Sequence, residues 1–288
     1  MKILVTGDGG FIGTNLIKQL KAEFTFITSN KNNEKRVDIL DRDQLASVEK
    51  ADAIIHLASK TSIMNSVTDP YETYNTNIIG TLNILEFAKE RKIDKIINIS
   101  TYVYGNPVYL PIDENHPIAP HTPYNKSKLI SETLCKYYSE DYGISIVTLR
   151  PFYIYGPSSK DHSFIPSIIR QINKSDKVIL SRENTKRDFL YVSDFINLIL
   201  RILHDFPKGY NVNNVGFGKS YSLEMIVTIL GRILGKKITI KYNKSIRPND
   251  ITEMYADIKQ LKKLYDWEPQ VNIEDGLRII LNSLSPQN

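Results

Sequence analysis

Three polar residues of this chain have the types and the spacing of a proton-transfer site. Tyr124 and Lys128 stand four residues apart in a helical pattern, so they share one face of that helix. A phenol is a weak acid with an unperturbed pKa of about 10, and a nearby ammonium group stabilises the phenolate. Ser100 ends a predicted parallel strand, beyond which ligands of such sheets bind. Its hydroxyl can hydrogen-bond a substrate hydroxyl or ketone beside the tyrosine.

A second chemical signal lies at the start of the chain. The apolar run 2–6 leads directly into Gly7, Gly10 and Gly13, and apolar residues then recur at helical spacing. This is a buried strand, a glycine turn and a helix in succession. The first glycine permits the bend, the second lets the backbone approach a pyrophosphate, and the third lets the helix pack closely. The turn therefore predicts dinucleotide binding, and a nicotinamide cation would further stabilise the phenolate of Tyr124.

The apolar periodicity predicts the elements that position these residues. Strands are predicted at 2–6, 24–28, 53–57, 94–99, 144–149, 177–180 and 188–191. Helices are predicted after residue 13, near 41, and at 70–91, 123–142, 164–172, 192–204, 222–234, 257–264 and from 273. Strands alternating with helices indicate a parallel sheet covered on both faces. We expect an α/β fold with a Rossmann-type, doubly wound parallel sheet and a smaller C-terminal substrate-binding domain.

Two domains are expected. A cofactor-binding domain would comprise 1–152 and roughly 187–210, and a substrate-binding domain roughly 153–186 and 211–288.

Composition narrows the partners and the compartment. Hydrophobic residues make up 41% of the 288 residues, and no apolar run has the length of a membrane helix. The first strand begins at residue 2, which leaves no room for a signal peptide, and the single Cys135 is expected to be a buried thiol. These features favour the cytoplasm. The net charge of +5 comes from dispersed basic residues, which fits a phosphate-bearing ligand better than nucleic acid.

The motifs resemble the extended branch of the short-chain dehydrogenase/reductase superfamily, in particular its nucleotide-sugar enzymes. The resemblance is carried by Gly10-Phe11-Ile12-Gly13, His56-Leu57-Ala58-Ser59, Asn77-x-x-Gly80-Thr81, Ile99-Ser100-Thr101-Tyr102, Pro123-Tyr124-Asn125-Lys126-Ser127-Lys128, Arg187-Asp188-Phe189 and Arg247-Pro248-x-Asp250. It implies that Tyr124 exchanges the proton, Lys128 tunes it and holds the nicotinamide ribose, and Ser100 steadies the reacting oxygen.

The resemblance also implies two sets of binding residues and no metal. The cofactor set is Gly7, Gly10, Phe11, Ile12, Gly13, Ser29, Asn30, Asp38, Ile39, Leu57, Ala58, Ser59, Asn77, Tyr124, Lys128 and Tyr153. The substrate set is Ser100, Thr101, Tyr153, Arg187, Arg247 and Asp250. In the family, the two arginines hold the nucleotide diphosphate, a task that suits guanidinium forks, and Asp38 matches the position that meets the adenine amino group.

Two departures from the family pattern bear on specificity. The second strand ends in Ser29-Asn30-Lys31, without the carboxylate that usually holds a free ribose hydroxyl. This favours NADP over NAD, although an exposed lysine loop explains the same residues. Many relatives have asparagine where Tyr153 stands, so the identity of the sugar stays open.

Thr101 and Tyr102 restrict the reaction. The 4,6-dehydratases of the family have an acid pair at these two positions. The UDP-glucuronate decarboxylases have a glutamate at the Tyr102 position. Neither threonine nor tyrosine can act as a general acid in place of these groups. Hydride transfer at carbon 4 of a nucleotide-linked hexose remains. The missing carboxylate after the second strand favours an NADPH-dependent 4-keto-sugar-nucleotide reductase. The alternative enzyme is an NAD-dependent UDP-sugar 4-epimerase. The non-enzymatic alternative is an NAD(P)-binding regulatory protein. Relatives often form homodimers through two helices, for which 70–91 and 123–142 are the candidates.

Overall fold

The structure of the chain is a computed structural model that describes residues 1–28, 37–243 and 251–284. The chain divides into two compact units. Unit 1 comprises 1–105, 118–151 and 196–213, and unit 2 comprises 106–117, 152–195 and 214–288. The expected functional division into a cofactor domain and a substrate domain stays a prediction.

Eleven strands form three sheets within the described residues. They are β1 (Lys2–Thr6), β2 (Thr25–Thr28), β3 (Ala53–His56), β4 (Lys95–Ile99), β5 (Ser145–Pro151), β6 (Tyr153–Tyr155), β7 (Lys177–Leu180), β8 (Lys186–Tyr191), β9 (Tyr210–Val215), β10 (Ser220–Ser222) and β11 (Thr239–Tyr242). The largest sheet has the order β2-β1-β3-β4-β5-β9, and its strands from β2 to β5 pair in parallel.

The helices of the described chain are α1 (Phe11–Leu20), α2 (Arg42–Ala46), α3 (Ile63–Thr68), α4 (Pro70–Tyr74), α5 (Gly80–Arg91), α6 (Pro123–Tyr142), α7 (Phe164–Lys174), α8 (Val192–His204), α9 (Leu223–Ile233), α10 (Lys259–Tyr265) and α11 (Ile273–Leu284). A π-helical turn, Asn75–Ile79, joins α4 to α5.

Local signals explain the bounds of α6, the longest helix. The hydroxyl of Thr122 caps its beginning by accepting a hydrogen bond from the Asn125 N–H at 3.2 Å, and Pro123 occupies the first turn, where its missing N–H costs nothing. Gly143 ends the helix with φ 70°, a left-handed conformation that glycine adopts without strain.

The core of unit 1 lies around the parallel sheet. Strands β1, β3, β4 and β5 consist almost entirely of buried residues, most of them apolar, as expected of a parallel sheet that is covered on both faces. Helix α5 adds Ile84, Leu85, Phe87 and Ala88 to this core, and Cys135 of α6 is a buried free thiol there, as predicted.

Unit 2 contains the smaller sheets. Strand β8 pairs in parallel with β6 and antiparallel with β10, and β7 pairs in parallel with β11. Buried Asp188 of β8 accepts hydrogen bonds from the backbone N–H groups of Phe217, Gly218 and Ala256 at 2.6, 3.1 and 3.1 Å. Its carboxylate thereby ties β8 to the turn after β9 and to the segment before α10.

The expected α/β fold with a Rossmann-type parallel sheet is confirmed. The structure differs from the sequence prediction in details. The predicted helix 70–91 contains the π-helical turn, α3 precedes it, and four unpredicted strands are present. Those strands are β6, β9, β10 and β11, which are three to six residues long and lack a clear apolar alternation. Pairing with neighbouring strands therefore decides their conformation.

Candidate functional site

The glycine loop after β1 has a backbone that other residues would not fit. Gly7 has φ 72°, and a Cβ there would lie 2.6 Å from the Ala58 nitrogen. A Cβ at Gly13 would lie 2.6 Å from the Cα of Asp8, so the glycine lets α1 approach the loop. Gly10, by contrast, has only the Gly7 carbonyl oxygen within 4 Å of its Cβ position, at 3.1 Å. The space beside Gly10 and the N-terminus of α1 therefore fit an approaching pyrophosphate.

The loop lies where the strand order of the sheet reverses. Strand β1 pairs with β2 on one side and with β3 on the other, which is the point at which ligands of doubly wound sheets bind. Leu57, Ala58 and Ser59 follow β3 and are half-buried at the same end of the strands. The Leu57 N–H donates to the Thr6 carbonyl at 3.1 Å, and the Ala58 N–H donates to the Thr6 hydroxyl at 3.2 Å.

The structure describes only some of the residues that are expected to bind the cofactor beyond the glycine loop. Asp38 is exposed, and its Oδ1 accepts a hydrogen bond from the Leu40 N–H at 2.9 Å. Ile39 is buried, and its carbonyl accepts from the Asn83 side chain at 2.9 Å. Ser29 and Asn30 lie outside the described residues.

Asn77 of the π-helical turn joins three segments of unit 1. Its Oδ1 accepts hydrogen bonds from the Ser59 hydroxyl at 2.9 Å and the Lys60 N–H at 2.8 Å. Its Nδ2 donates to the Lys60 carbonyl at 3.1 Å and to the Ser127 hydroxyl at 2.9 Å. The amide therefore fixes the segment after β3 against α6, one residue before Lys128.

A buried histidine extends this network to β1. His56 Nδ1 lies 2.7 Å from the Thr6 hydroxyl, and its Nε2 lies 3.1 Å from the hydroxyl of Thr81, which donates to the Asn77 carbonyl at 2.6 Å. Because the Thr81 proton is committed, we assign the imidazole proton to Nε2. Burial, together with the charge of Lys128, lowers the pKa of His56 to about 3, so the ring is neutral at physiological pH.

Helix α6 presents Tyr124, Lys128 and Glu132 at four-residue spacing on one face. Tyr124 is partly exposed. The burial of the rest of its side chain raises its pKa above the ordinary value of 10, and a hydrogen bond with the Thr101 side chain acts in the opposite direction. Burial also lowers the pKa of Lys128 to about 8, while electrostatic interactions with Cys135 and Glu132 act in the other direction. Lys128 therefore still carries its proton at neutral pH.

Ser100 follows β4 and lies against the same helix. Its N–H donates to the Leu149 carbonyl at 2.7 Å, and its hydroxyl donates to the carboxylate of Glu132. Arg150 Nη2 donates to Glu132 at 2.6 Å, and Arg150 Nε lies 3.0 and 3.1 Å from the two carboxylate oxygens. Arg150 Nη1 donates to the Tyr104 hydroxyl at 2.8 Å. Ser100 and Thr101 thus lie beside α6 of unit 1, the helix that contains Tyr124 and Lys128.

Tyr153, expected in both binding sets, is half-buried in unit 2. Its hydroxyl accepts a hydrogen bond from the Phe164 N–H at 2.8 Å, and its ring packs edge-on against Phe189 with centroids 4.9 Å apart. The hydroxyl proton is not used in that bond, so Tyr153 can still donate to a ligand.

Of the other expected substrate residues, Arg187 lies on β8 in unit 2. Its Nη1 donates to the carbonyl of Lys186 at 2.8 Å and lies 3.5 Å from that of Thr252. Arg247 and Asp250 lie outside the described residues.

Glu132 and Arg150 were not among the residues predicted from the sequence. Glu132 continues the four-residue spacing of Tyr124 and Lys128, which was the available signal, but charged residues at helical spacing usually face solvent. Their side chains are only 4% and 6% exposed, and this burial depends on tertiary packing.

The comparisons with known proteins agree with this geometry. A family model described as the NAD dependent epimerase/dehydratase family matches residues 3–216. The chain belongs to this family. It is therefore an NAD(P)-dependent enzyme of the short-chain dehydrogenase/reductase type, in a family that acts on nucleotide sugars, which confirms the resemblance seen in the sequence.

Individual family members are similar over almost the whole chain. A candidate UDP-glucose 4-epimerase of Methanocaldococcus jannaschii is 33% identical, covering 99% of both chains. RMD from Pseudomonas aeruginosa, solved with NADPH, is 30% identical with a TM-score of 0.90, covering 98% of this chain and 97% of that one. The UDP-glucose 4-epimerase of Thermus thermophilus, solved with NAD, is 25% identical with a TM-score of 0.88 and full coverage of both chains.

Two further features concern the part of the chain that the structure describes. No helix there is long and apolar enough to cross a membrane. No group of three or more His, Cys, Asp or Glu side chains in those ranges could hold a metal ion.

Proposed function

We propose that this enzyme oxidises and reduces carbon 4 of a nucleoside-diphosphate hexose and works as a UDP-hexose 4-epimerase. The observation that carries the chemistry at carbon 4 is the position of the segment after β4 against α6, and the similarity to a candidate UDP-glucose 4-epimerase over almost the whole chain supports the epimerase. Its Ser100 bonds to Glu132 and its Thr101 to Tyr124, and Lys128 lies on the same helix between these two contacts. This juxtaposition supplies a proton-exchanging phenol, a cation and an orienting hydroxyl.

The residues divide the chemistry among them. The dinucleotide, when bound, would supply the site that accepts and returns hydride, and the loop shaped by Gly7, Gly10 and Gly13 leaves space beside Gly10 for its pyrophosphate. Tyr124 takes the proton of the sugar hydroxyl and returns it. Because burial alone raises the pKa of Tyr124, neighbouring positive charge has to stabilise its phenolate, and Lys128 supplies part of that charge. Ser100 orients the sugar oxygen.

The residues after β4 argue against loss of water or carbon dioxide. UDP-glucuronic acid decarboxylases occur among the relatives at 29% identity. At the position where the sequence analysis expects their glutamate, this chain has Tyr102, which is buried and donates its hydroxyl to the Gly105 carbonyl at 2.6 Å. A phenol held in that way is a poor substitute for a carboxylic acid.

A second candidate is an NADPH-dependent 4-keto-sugar reductase. Its specific support is the absence of a carboxylate at Ser29 and Asn30, where a free ribose hydroxyl would be held. The similarity to RMD, which was solved with NADPH, is compatible with this candidate.

One experiment separates the two candidates. Purified enzyme is denatured, the released nucleotides are identified, and fresh enzyme is incubated with UDP-glucose without added cofactor. Retained NAD and formation of UDP-galactose support the epimerase. Oxidation of added NADPH in the presence of a 4-keto nucleotide sugar, with no exchange between UDP-glucose and UDP-galactose, supports the reductase. Failure of both reactions would contradict the assignment to these substrates.

We also infer that two copies of the chain pair through unit 1. Helices α3 and α4 lie beside α6, and their exposed apolar side chains include Met64, Val67 and Tyr71 at 68, 63 and 79% exposure. Such exposure on neighbouring elements is typical of a protein interface. Light scattering should give a dimer mass for the wild type and a monomer mass for Val67→Glu. A monomeric wild type would contradict the inference.

A further inference from the structure

The hydroxyl of Ser100 has a single proton, and Glu132 receives it. The carboxylate of Glu132 is itself held by the guanidinium fork of Arg150, with N–O distances of 2.6 to 3.1 Å. Arg150 is fixed in turn by the Tyr104 hydroxyl at 2.8 Å and by the Tyr104 ring, 5.2 Å from its guanidinium carbon. Ser100 therefore stands at the end of a chain of mutually oriented side chains.

Burying the two charged side chains of this series costs free energy. Glu132 and Arg150 have side chains only 4% and 6% exposed, and moving two charges out of water costs about as much as their attraction returns. An apolar pair of the same volume would connect α6 with β5 at least as well. For Ser100, the polar pair provides what apolar residues cannot, which is a fixed acceptor for its hydroxyl.

We propose that Glu132, locked by Arg150, is a positioning residue that fixes the Oγ of Ser100 for the reaction at the sugar oxygen. The assignment rests on the proposed function, since it takes Ser100 as the residue that orients this oxygen. Small displacements of such a group are costly, because the reacting atoms have to meet within a few tenths of an ångström. Glu132 acts through Ser100 and itself contacts no reacting atom.

The test is a double-mutant cycle with Glu132→Gln and Ser100→Ala. Glutamine keeps the shape of glutamate but loses the charge that holds both the hydroxyl and the guanidinium. We expect Glu132→Gln to lower kcat roughly 10- to 100-fold, with KM and the calorimetric Kd for UDP-glucose nearly unchanged. In the Ser100→Ala background the same substitution should have almost no further effect on kcat, because the group it positions is already absent.

Asp188→Asn provides a matched control, since it also replaces a buried carboxylate by an amide, but in unit 2. It disturbs hydrogen bonds with backbone N–H groups and leaves the bond between Ser100 and Glu132 intact. We expect a lower Tm with kcat close to that of the wild type. Should Glu132→Gln not fold, Arg150→Lys replaces it in the cycle, because lysine keeps the charge but loses the fork.

The outcomes distinguish this assignment from the proposed function. A wild type that acts on no nucleotide sugar overturns both. An active wild type with a fully active Glu132→Gln variant overturns only the positioning role. A loss of kcat that is equally large with and without Ser100 also overturns it, because Glu132 would then act on the fold as a whole.

Discussion

Glu132 in unit 1 and Asp188 in unit 2 are buried carboxylates that are held in different ways. In unit 1, Glu132 bonds to the side chains of Ser100 and Arg150. In unit 2, Asp188 bonds to three backbone N–H groups, and burial raises its pKa to about 6 in spite of them. A carboxylate bonded to side chains determines where chemically active groups stand, whereas one bonded to the backbone determines where loops stand. We therefore expect chemistry to be sensitive to substitutions in unit 1 and stability to those around Asp188.

The largest effect is expected at Tyr124. Tyr124→Phe removes the hydroxyl that exchanges the proton but keeps the ring, so kcat should fall by roughly 10²- to 10⁴-fold. Folding and cofactor binding should be unchanged, as circular dichroism and titration with both dinucleotides would show. A folded variant with near-normal turnover would contradict the assignment of proton transfer to unit 1.

Arg187→Ala tests whether unit 2 contributes binding. If Arg187 contacts a diphosphate, its loss should weaken UDP-sugar binding by roughly 10- to 100-fold, with cofactor affinity unchanged. Arg187 also bonds to backbone carbonyls, so Tm has to be measured on the same sample. Arg247→Ala, outside the described residues, should behave similarly. Unchanged titration of UDP into both variants would make these arginines structural.

Asp188→Asn tests the structural role of the second carboxylate. Whichever way the new amide turns, its NH₂ group faces at least one backbone N–H that has thereby lost its acceptor, so the free energy of unfolding should fall by about 1 to 3 kcal/mol. Asp161→Asn, at an exposed position, is the matched control and should be neutral. Urea unfolding of the three proteins gives the comparison. Equal stability of all three would show that the three backbone bonds contribute nothing.

The smallest effect concerns the pH dependence set by Lys128. Its folded-state pKa is about 8, against 10.5 for the free side chain, so between these values the unfolded chain binds the extra proton. The free energy of unfolding should therefore rise with pH in this window, while kcat falls as Lys128 loses its charge. Lys128→Met should lack this contribution to stability. Identical pH dependence of unfolding in both proteins would contradict the shift.

Local signals made much of unit 1 predictable from the sequence. The glycine loop, the buried parallel strands and the capped helix α6 are each specified by neighbouring residues, and the bounds of α6 agree with the prediction. Ser100, Tyr124 and Lys128 could be proposed together because they follow a strand end and share a helix face. Their catalytic roles stay predictions.

What could not be predicted depends on contacts between distant residues. Glu132 and Arg150 are 18 positions apart, and nothing in either neighbourhood indicates that both charges are buried. Strand β9, with the sequence Tyr-Asn-Val-Asn-Asn-Val, contains three asparagines, which disfavour strands, and forms through its place beside β5 in the sheet. The π-helical turn has no marker in its own sequence.

That turn has a consequence for how the chain tolerates length changes. A π-helical turn accommodates one residue more than an α-helical turn, so the flanking helices keep the faces they would have without it. Deleting Asn77 should therefore leave the apolar side of α5 in the core, yet remove the amide that joins the segment after β3 to α6. The scaffold can accept the shorter chain and the site cannot.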